Sequence, residues 1–576
     1  MNSEIAKILS EIGEYLAMQR VQFKPRAYEK AAQAIAGLEE DVRGIYRRDG
    51  LKGLMKIPGV GESIARKIEE FVKTGRIRAY TKLKKDAPVD LAALTAVAGL
   101  GPQKIQRLYA ALGIKNLKDL EGAARQGKIA PLPGFGSKTE ENILRDLAFA
   151  KTSGQRFVTG FILPQIQSVL DKLTKLPQAE KLTVAGSYRR RRETVGDIDI
   201  LLVSAEPQAV MDHFVKLPEV RQVIAHGPTK SSVKLRSGPN VDLRIVPAKS
   251  YGAALLYFTG SKAHNVVLRQ LAIKKGYKLN EYGLFRLSSS GKEQSVAGET
   301  EEEIYRTLGL PFIPPEIREN VGEIELAREN RLPDLLPYGS LKGDLQVQTN
   351  WSDGKESIEA MVRAATARGL QYIAVTDHTQ RLAMAHGLNE KRLRRQASEI
   401  DRVNRKLAGH ARVLKGTECD ILKDGSLDLP DRALAELDVV GASIHSYFNL
   451  SRREQTSRLV RAMRNPHVDV IFHPTNRILN RRPAVELDMD EVIRAARATG
   501  TVLEIDAYPD RSDLADESIR RCVENGVKLA VDSDAHASAH FSFLEHGVAQ
   551  ARRGFAGKRD VVNAWPLAQM KKKLKA

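Results

Sequence analysis

Cysteine is nearly absent: the 576 residues contain two, Cys419 and Cys522, far apart in the chain. That excludes a disulfide framework and a zinc knuckle, and both thiols are expected to be small buried residues. No apolar run is long enough to cross a bilayer, and the N-terminus lacks the charged-then-apolar pattern of a secretory signal. A cytoplasmic protein without membrane contact is the expectation. Acidic residues are outnumbered, 71 against 91 Lys and Arg, and the resulting net charge of +20 favours a polyanionic partner. The length accommodates several domains, each able to bury its own core.

What is present centres on residues 185–203, AGSYRRRRETVGDIDILLV. Ile198, Ile200 and Leu202 are apolar at period two, which predicts a strand with Asp197 and Asp199 together on its other face. Two neighbouring carboxylates on a strand that ends in a buried apolar run repel each other unless a cation sits between them, so the pair suits a hard divalent metal. A second strand, VDLRIV from Val241, offers Asp242 as a third carboxylate. Upstream, Gly186 and Ser187 open a helix-start-like turn, and the run Arg189–Arg192 places anion donors beside the acids. Metal ligands and phosphate donors together point to nucleotidyl transfer; an edge strand with solvated acids is the plainer alternative for the Asp pair alone.

The succession GSYRR, GDID, D-x-R and YFTGS resembles the palm of the family X DNA polymerases, and the whole chain resembles the bacterial members that carry a C-terminal PHP (polymerase and histidinol phosphatase) domain. The resemblance implies that Asp197 and Asp199 bind both metals, Mg²⁺ or Mn²⁺, and that Asp242 assists the primer hydroxyl. It implies triphosphate contacts from Ser187, Arg190 and Gly196. Tyr257, Phe258 and Gly260 fall in the segment that packs against the incoming sugar, and Asn265 falls near the nascent base pair. Asn240 departs from the arginine of vertebrate members.

Residues 1–150 read as short helices without a strand. Three turns, Ile57-Pro58-Gly59-Val60-Gly61, Val97-Ala98-Gly99-Leu100-Gly101 and Leu132-Pro133-Gly134-Phe135-Gly136, each precede an amphipathic helix. This is the helix-hairpin-helix pattern, in which Gly59, Gly61, Gly99, Gly101, Gly134 and Gly136 let amides approach a DNA phosphate without reading sequence. Lys67 is first a phosphate contact. By the resemblance it also matches the Schiff-base lysine of a 5'-deoxyribose phosphate lyase, with Lys24 and Tyr28 in the 5'-phosphate pocket, although Ser63 replaces a basic residue of vertebrate members.

Residues 151–315 are expected to form a mixed α/β palm and thumb, in which Lys262, His264 and Arg269 are candidate nucleotide or template contacts. A charged, proline-interrupted linker is expected over 316–340. From 341 to 576 short apolar strands alternate with helices, which predicts an α/β barrel of parallel strands with its site at their C-terminal ends. Asp377, His378, Glu418, His445, His473, Asp534 and His536 lie where such a site would gather divalent metals, and the resemblance to PHP members adds Asp353 and implies Mn²⁺ or Zn²⁺. TDH, GTEC, SIHS, FHP and SDAH resemble PHP motifs, but Gln346 and Gln348 stand where active members have an HxH pair. An amide carbonyl is a weaker donor than imidazole, so metal binding with a weakened 3'-5' exonuclease is expected.

The fold expectation is therefore multidomain: an all-α helix-hairpin-helix region, an α/β nucleotidyltransferase palm and thumb, and a C-terminal α/β PHP barrel. The expected function is a monomeric repair polymerase that uses dNTPs on gapped or primed DNA with a 5'-phosphate. A PHP-dependent exonuclease or phosphoesterase, and a non-catalytic DNA-end scaffold, are the competing readings.

Overall fold

The computed structural model describes residues 2–574 apart from 20, 22, 37, 39, 87–88, 96, 98–99, 138, 142, 145–146, 148–155 and 288–292. Contacts divide the chain into two compact units, residues 1–154 with 480–482, and residues 155–479 with 483–576.

The described part of residues 1–154 is helical. Ile5, Leu9 and Ile12 of helix Asn2–Met18 pack against Tyr28, Ala31 and Ile35 of helix Lys24–Ala36 and against Ile64, Ile68 and Phe71 of helix Glu62–Thr74. Helix Pro102–Leu112 contributes Ile105 and Leu108 to a second core with Leu94, Leu100, Leu120 and Ile129. Each of these apolar sets recurs at helical spacing, so burial of one stripe per helix organises the bundle.

In the second unit, β1 (Phe157–Val158) pairs with β3 (Thr194–Val195) as a short ribbon. The palm sheet contains β2 (Lys181–Val184), β4 (Asp197–Val203), β5 (Val220–His226), β6 (Lys230–Leu235) and β7 (Asn240–Ile245) in the order β2-β4-β7-β6-β5. Only β4 and β7 run parallel. Ile198, Ile200 and Leu202 are fully buried, which commits the opposite, Asp-bearing face of β4 to the site. A three-stranded sheet of β8 (Tyr277–Asn280), β9 (Gly283–Leu287) and β10 (Glu293–Ala297) follows.

The stretch expected as a linker, 316–340, is instead packed. Arg318 and Glu323 are completely buried, and Ile317, Ile324 and Leu335 share a core with Leu256, Leu268 and Phe555. Its charges are spent internally. Arg318 donates to Glu301 at 2.5 Å and to the Ile313 carbonyl at 2.8 Å, and Glu323 accepts from His264 at 2.6 Å. His264 therefore cannot serve as the nucleotide or template contact expected of it: it is buried between Glu323 and the Tyr305 hydroxyl, 2.9 Å away.

The barrel is built from β11 (Gly343–Val347), β12 (Tyr372–Val375), β13 (Arg412–Asp420), β14 (Val439–Ser443), β15 (Val470–Ile471), β16 (Val502–Asp506) and β17 (Leu529–Asp532), consecutive and parallel throughout. A bridge from Val347 to Ala535 brings β11 back beside the end of β17 and nearly closes the ring. β11 is the strand the apolar pattern misses. Its Asp344 and Gln346 interrupt the hydrophobic run, yet both are fully buried, because Asp344 accepts from the Gln346 and Ser533 amides at 3.2 Å each.

Candidate active sites

On the palm, register alone assembles the carboxylates. Asp199 lies directly opposite Asp242 across the parallel β4–β7 pair, and Asp197, two residues earlier on β4, shares its face. Burial, then the negative charges of Asp197 and Asp242, push the Asp199 carboxyl up to about 6. Among the described residues, the cations in ion-pair contact with the set are at Asp242, Lys230 at 3.0 Å and Arg244 at 3.4 Å. Asn240 is exposed at the start of β7. Three carboxylates that repel one another are a donor set that suits a hard divalent ion.

The turn above them is tight. Gly186 has φ +65°, and a Cβ there would stand 3.1 Å from an Asp199 carboxylate oxygen, so only glycine lets the turn close over the acids. Ser187 follows on the short helix Gly186–Arg189, and Gly196 directly precedes β4. The arginine run is less available than its sequence suggests. Arg189 donates to Glu301 at 2.6 and 2.9 Å and to Thr259 Oγ1 at 2.8 Å. Burial works to raise the Glu301 carboxyl, but Arg318 and Arg189 outweigh it and hold it at about 2. Arg190 donates through Nε to Glu319 at 3.0 Å and through Nη1 to the Thr259 carbonyl, leaving Nη2 without a hydrogen bond. Arg191 lies over the Tyr338 ring. Arg189 and most of Arg190 are therefore committed to internal pairs, and one edge of Arg190 together with the exposed Arg191 remains for an anion.

Helix Tyr251–Thr259 ends at Gly260, whose φ of +70° turns the chain toward helix Lys262–Lys274. Tyr257 is 41% exposed and packs edge-on against Phe258, which in turn lies under the Arg244 guanidinium. Asn265 donates to the Tyr257 carbonyl at 2.8 Å, which ties the helix start to the Tyr-Phe segment. Lys262 is exposed, and Arg269 is half-buried against the Asn265 carbonyl.

At the barrel rim, Glu418 on β13 is the hub. His473 Nε2 is 2.9 Å, His445 Nε2 3.0 Å and His378 Nδ1 3.2 Å from its carboxylate oxygens. Burial opposes its charge, but these imidazoles hold the carboxyl well below its ordinary value. Ligand atoms of His378, Glu418 and His445 lie within 4.8 Å of one another, and so do those of Asp353, His378 and His536. His378 thus belongs to both groups, a donor set of imidazole and carboxylate that fits borderline divalent metals. His473 bonds Glu418, packs edge-on against His445 and donates its backbone N–H to Glu504 at 2.5 Å, while its buried Nδ1 has no hydrogen-bond partner among the described residues.

The sector facing the glutamines differs. Gln348 donates its amide to Glu418 at 2.8 Å while its own carbonyl oxygen is buried and unpartnered. Gln346, with its amide turned to donate, reaches Glu504 at 3.2 Å. Arg511 Nε lies 3.3 Å from Asp506 and 3.6 Å from Asp534. Amide protons and a guanidinium therefore face the carboxylates here, and Asp534 meets Arg511 and, at 3.7 Å, His536 instead of joining either ligand group. Asp377 does not join them either: it accepts from Thr349, Ser352 and Gln396 and holds the loop that carries Asp353. Arg511 and Asp506 escaped the sequence reading because nothing in YPDRSD marks a residue that reaches back to β16 and β17.

Among residues 1–154, Lys24, Tyr28, Gly59, Gly61, Ser63 and Lys67 line one open cavity of about 670 Å³. Lys67 Nζ donates to the Ser63 carbonyl at 3.1 Å and hydroxyl at 3.2 Å and lies 5.8 Å from the centre of the Tyr28 ring. Gly61 and Gly101 precede their helices directly, with open space where a side chain would stand, and Gly59 and Gly134 have φ of +80° and +83°. Gly136 begins the third such turn, accepting from Thr139 and Glu140. Gly99 lies outside the described residues.

Family descriptions match almost every part of this architecture: a helix-hairpin-helix domain over residues 1–77, a SAM-like helix-hairpin-helix tandem over 91–148, a DNA polymerase beta palm over 164–231, a DNA polymerase beta thumb over 254–319 and a PHP domain over 344–504. The chain is 39% identical over 575 residues, 99% of each protein, to the DNA polymerase/3'-5' exonuclease PolX of Bacillus subtilis. About a third of it is also 31% identical to a probable phosphatase of Acetivibrio thermocellus, 73% of which is covered. A probable phosphatase of Thermoanaerobacter sp. is 33% identical over 193 residues, again 73% of that protein. Because the first similarity runs from end to end and the domain matches follow the observed fold, this chain belongs to the family X DNA polymerases that carry a C-terminal PHP domain.

Proposed function

We propose that this polymerase fills short gaps in DNA during repair, and that its PHP barrel has a weakened 3'-5' exonuclease. The observation that carries the first part is the β4–β7 register, which sets Asp199 against Asp242 with Asp197 on the same face. Asp197, Asp199 and Asp242 would hold the divalent ions, Mg²⁺ or Mn²⁺. Such ions, when bound, supply the charge that stabilises the attacking and leaving oxygens of an in-line displacement. The protein's own part is positional. The Gly186 turn brings Ser187 over the acids, Arg190 offers its free Nη2 to the triphosphate, and Tyr257 and Phe258 form the wall that meets the sugar.

For the barrel, the carrying observation is that Gln346 and Gln348 present amide donors to Glu504 and Glu418 where a metal needs lone pairs. Asp353, His378, Glu418, His445 and His536 would still hold Mn²⁺ or Zn²⁺. At the N-terminal cavity, Lys24, Tyr28 and Lys67 would receive the 5'-phosphate on the far side of a gap. If Lys67 is also a lyase nucleophile, borohydride will trap it on DNA bearing a 5'-deoxyribose phosphate; no trapped product leaves it a phosphate contact.

One assay tests the polymerase and exonuclease readings together. A labelled primer facing a short gap with a 5'-phosphate is incubated with Mn²⁺ or Mg²⁺, with and without dNTPs, using wild type and Asp199→Ala. Extension that needs dNTPs and Asp199, with little shortening when dNTPs are omitted, is the expected result. Rapid shortening by both proteins would overturn the weakened exonuclease, and extension by Asp199→Ala would remove the palm assignment.

A further inference from the structure

Helix Leu544–Arg553 of the barrel ends on the palm. The Arg553 side chain is 1% exposed, yet it is bonded on every side. Nη1 donates to the Arg190 carbonyl at 2.9 Å, to the Glu316 carbonyl at 3.2 Å and to a Glu319 carboxylate oxygen at 3.2 Å, while Nη2 bonds Asp516. The same Glu319 oxygen accepts from Arg190 Nε. One guanidinium from the barrel thus fixes both the backbone of Arg190 and the carboxylate that orients its side chain.

The rest of the loop is gripped likewise. Arg192 lies 3.5 Å from Asp516 of the barrel, and Glu193 accepts from Arg477 at 2.6 Å. These residues join the Gly186 turn to β4, so their placement decides where Arg190 stands relative to Asp197 and Asp199. A planar, five-donor guanidinium at a buried junction sets geometry as well as charge.

We propose that Arg553 is a positioning residue for nucleotide binding: it holds Arg190 so that its free Nη2 meets the triphosphate, which makes the PHP barrel a working part of the polymerase pocket. This rests on the reading of Arg190 as a triphosphate contact. The polymerase half depends on the barrel through this contact whether or not the barrel cleaves anything.

The test uses the full chain and single-nucleotide addition to gapped DNA, with thermal melting to show that each variant folds. Arg553→Gln should raise KM for dNTP about tenfold with kcat changed by no more than about twofold, since the lost interaction is a charge-assisted orientation of the binding group. Arg553→Lys, which keeps the charge but not the fork, should fall between wild type and Arg553→Gln. Arg190→Gln should raise KM by itself, and Arg553→Gln added to it should cause no further rise. If Arg553→Gln does not fold, Glu319→Gln removes the negative charge of the shared acceptor and should give a KM rise in the same direction. An unchanged KM in Arg553→Gln or Glu319→Gln, or a fall in kcat without a KM change, overturns the proposal while leaving the Arg190 assignment intact. An unchanged KM in Arg190→Gln instead overturns the triphosphate reading on which the proposal stands.

Discussion

The palm and the barrel rim solve the same problem, gathering anionic ligands for divalent ions, by opposite means. On the palm the ligands are three carboxylates from two adjacent strands, and Lys230 and Arg244 relieve their repulsion only in part: burial and the neighbouring carboxylates still push Asp199 up to about 6. At the rim the ligands come from separate strand ends, and the protein's own donors already meet part of the carboxylate charge, with three imidazoles and the Gln348 amide around Glu418 and Arg511 beside Asp506 and Asp534. A site kept electrostatically frustrated is one that a metal completes; a site satisfied by its own donors has less to gain. The amides of Gln346 and Gln348, which donate to Glu504 and Glu418, move the rim toward the second condition.

The largest expected effect that would break this contrast is at Asp199. Asp199→Ala should reduce nucleotide addition by roughly 1,000-fold or more, because bound metals supply several kcal/mol to such a reaction. Gapped-DNA affinity, read by fluorescence anisotropy, should stay nearly unchanged. Next is the scaffold behind the palm: Glu301→Gln should cost about 3 kcal/mol of stability in denaturant unfolding, since it leaves Arg318 buried beside a neutral partner. Glu301 is held down, from 4.5 to about 2, so its stabilisation is present above pH 4.5 and is lost as pH falls toward 2.

Restoring imidazoles with Gln346→His and Gln348→His should raise metal-dependent primer shortening by roughly 10- to 100-fold, the scale on which ligand-shell changes act. It should also raise the metal bound per chain, measured by elemental analysis after dialysis; no added metal would show that Arg511 and its carboxylates, not the glutamines, close that sector. The smallest effect is on pH. Asp199 is raised above its usual 3.8, so the metal-free fold gains stability from its proton below 3.8 and loses it as pH rises through about 6. Metal competes with that proton, so Mn²⁺ affinity, followed by electron paramagnetic resonance, should fall up to about tenfold per unit below pH 6. Asp242→Asn should shift that midpoint downward.

Legibility differed by region for physical reasons. β4 announces its two faces because strand alternation is local, and six of the seven barrel strands announce themselves as apolar runs. β11 does not, because Asp344 and Gln346 are satisfied by groups on another strand end, and a buried polar residue looks exposed until its partner is known. The same blindness turned 316–340 into a linker and His264 into a candidate nucleotide or template contact: their partners Glu301, Tyr305 and Glu323 are distant in the chain.

The amino-acid sequence by itself determined the residue types, the periodicities and the order of domains, and through them the carboxylate face of the palm, the glycine turns of the helical region and the two glutamines at the rim. Those properties depend on spacing along a strand or turn. Only the tertiary structure decided which arginines are spent on internal pairs, that the barrel closes through a polar strand, and that Arg553 reaches Arg190 across 363 residues of chain. Charge pairing is set by distance in space, and chain order does not contain it.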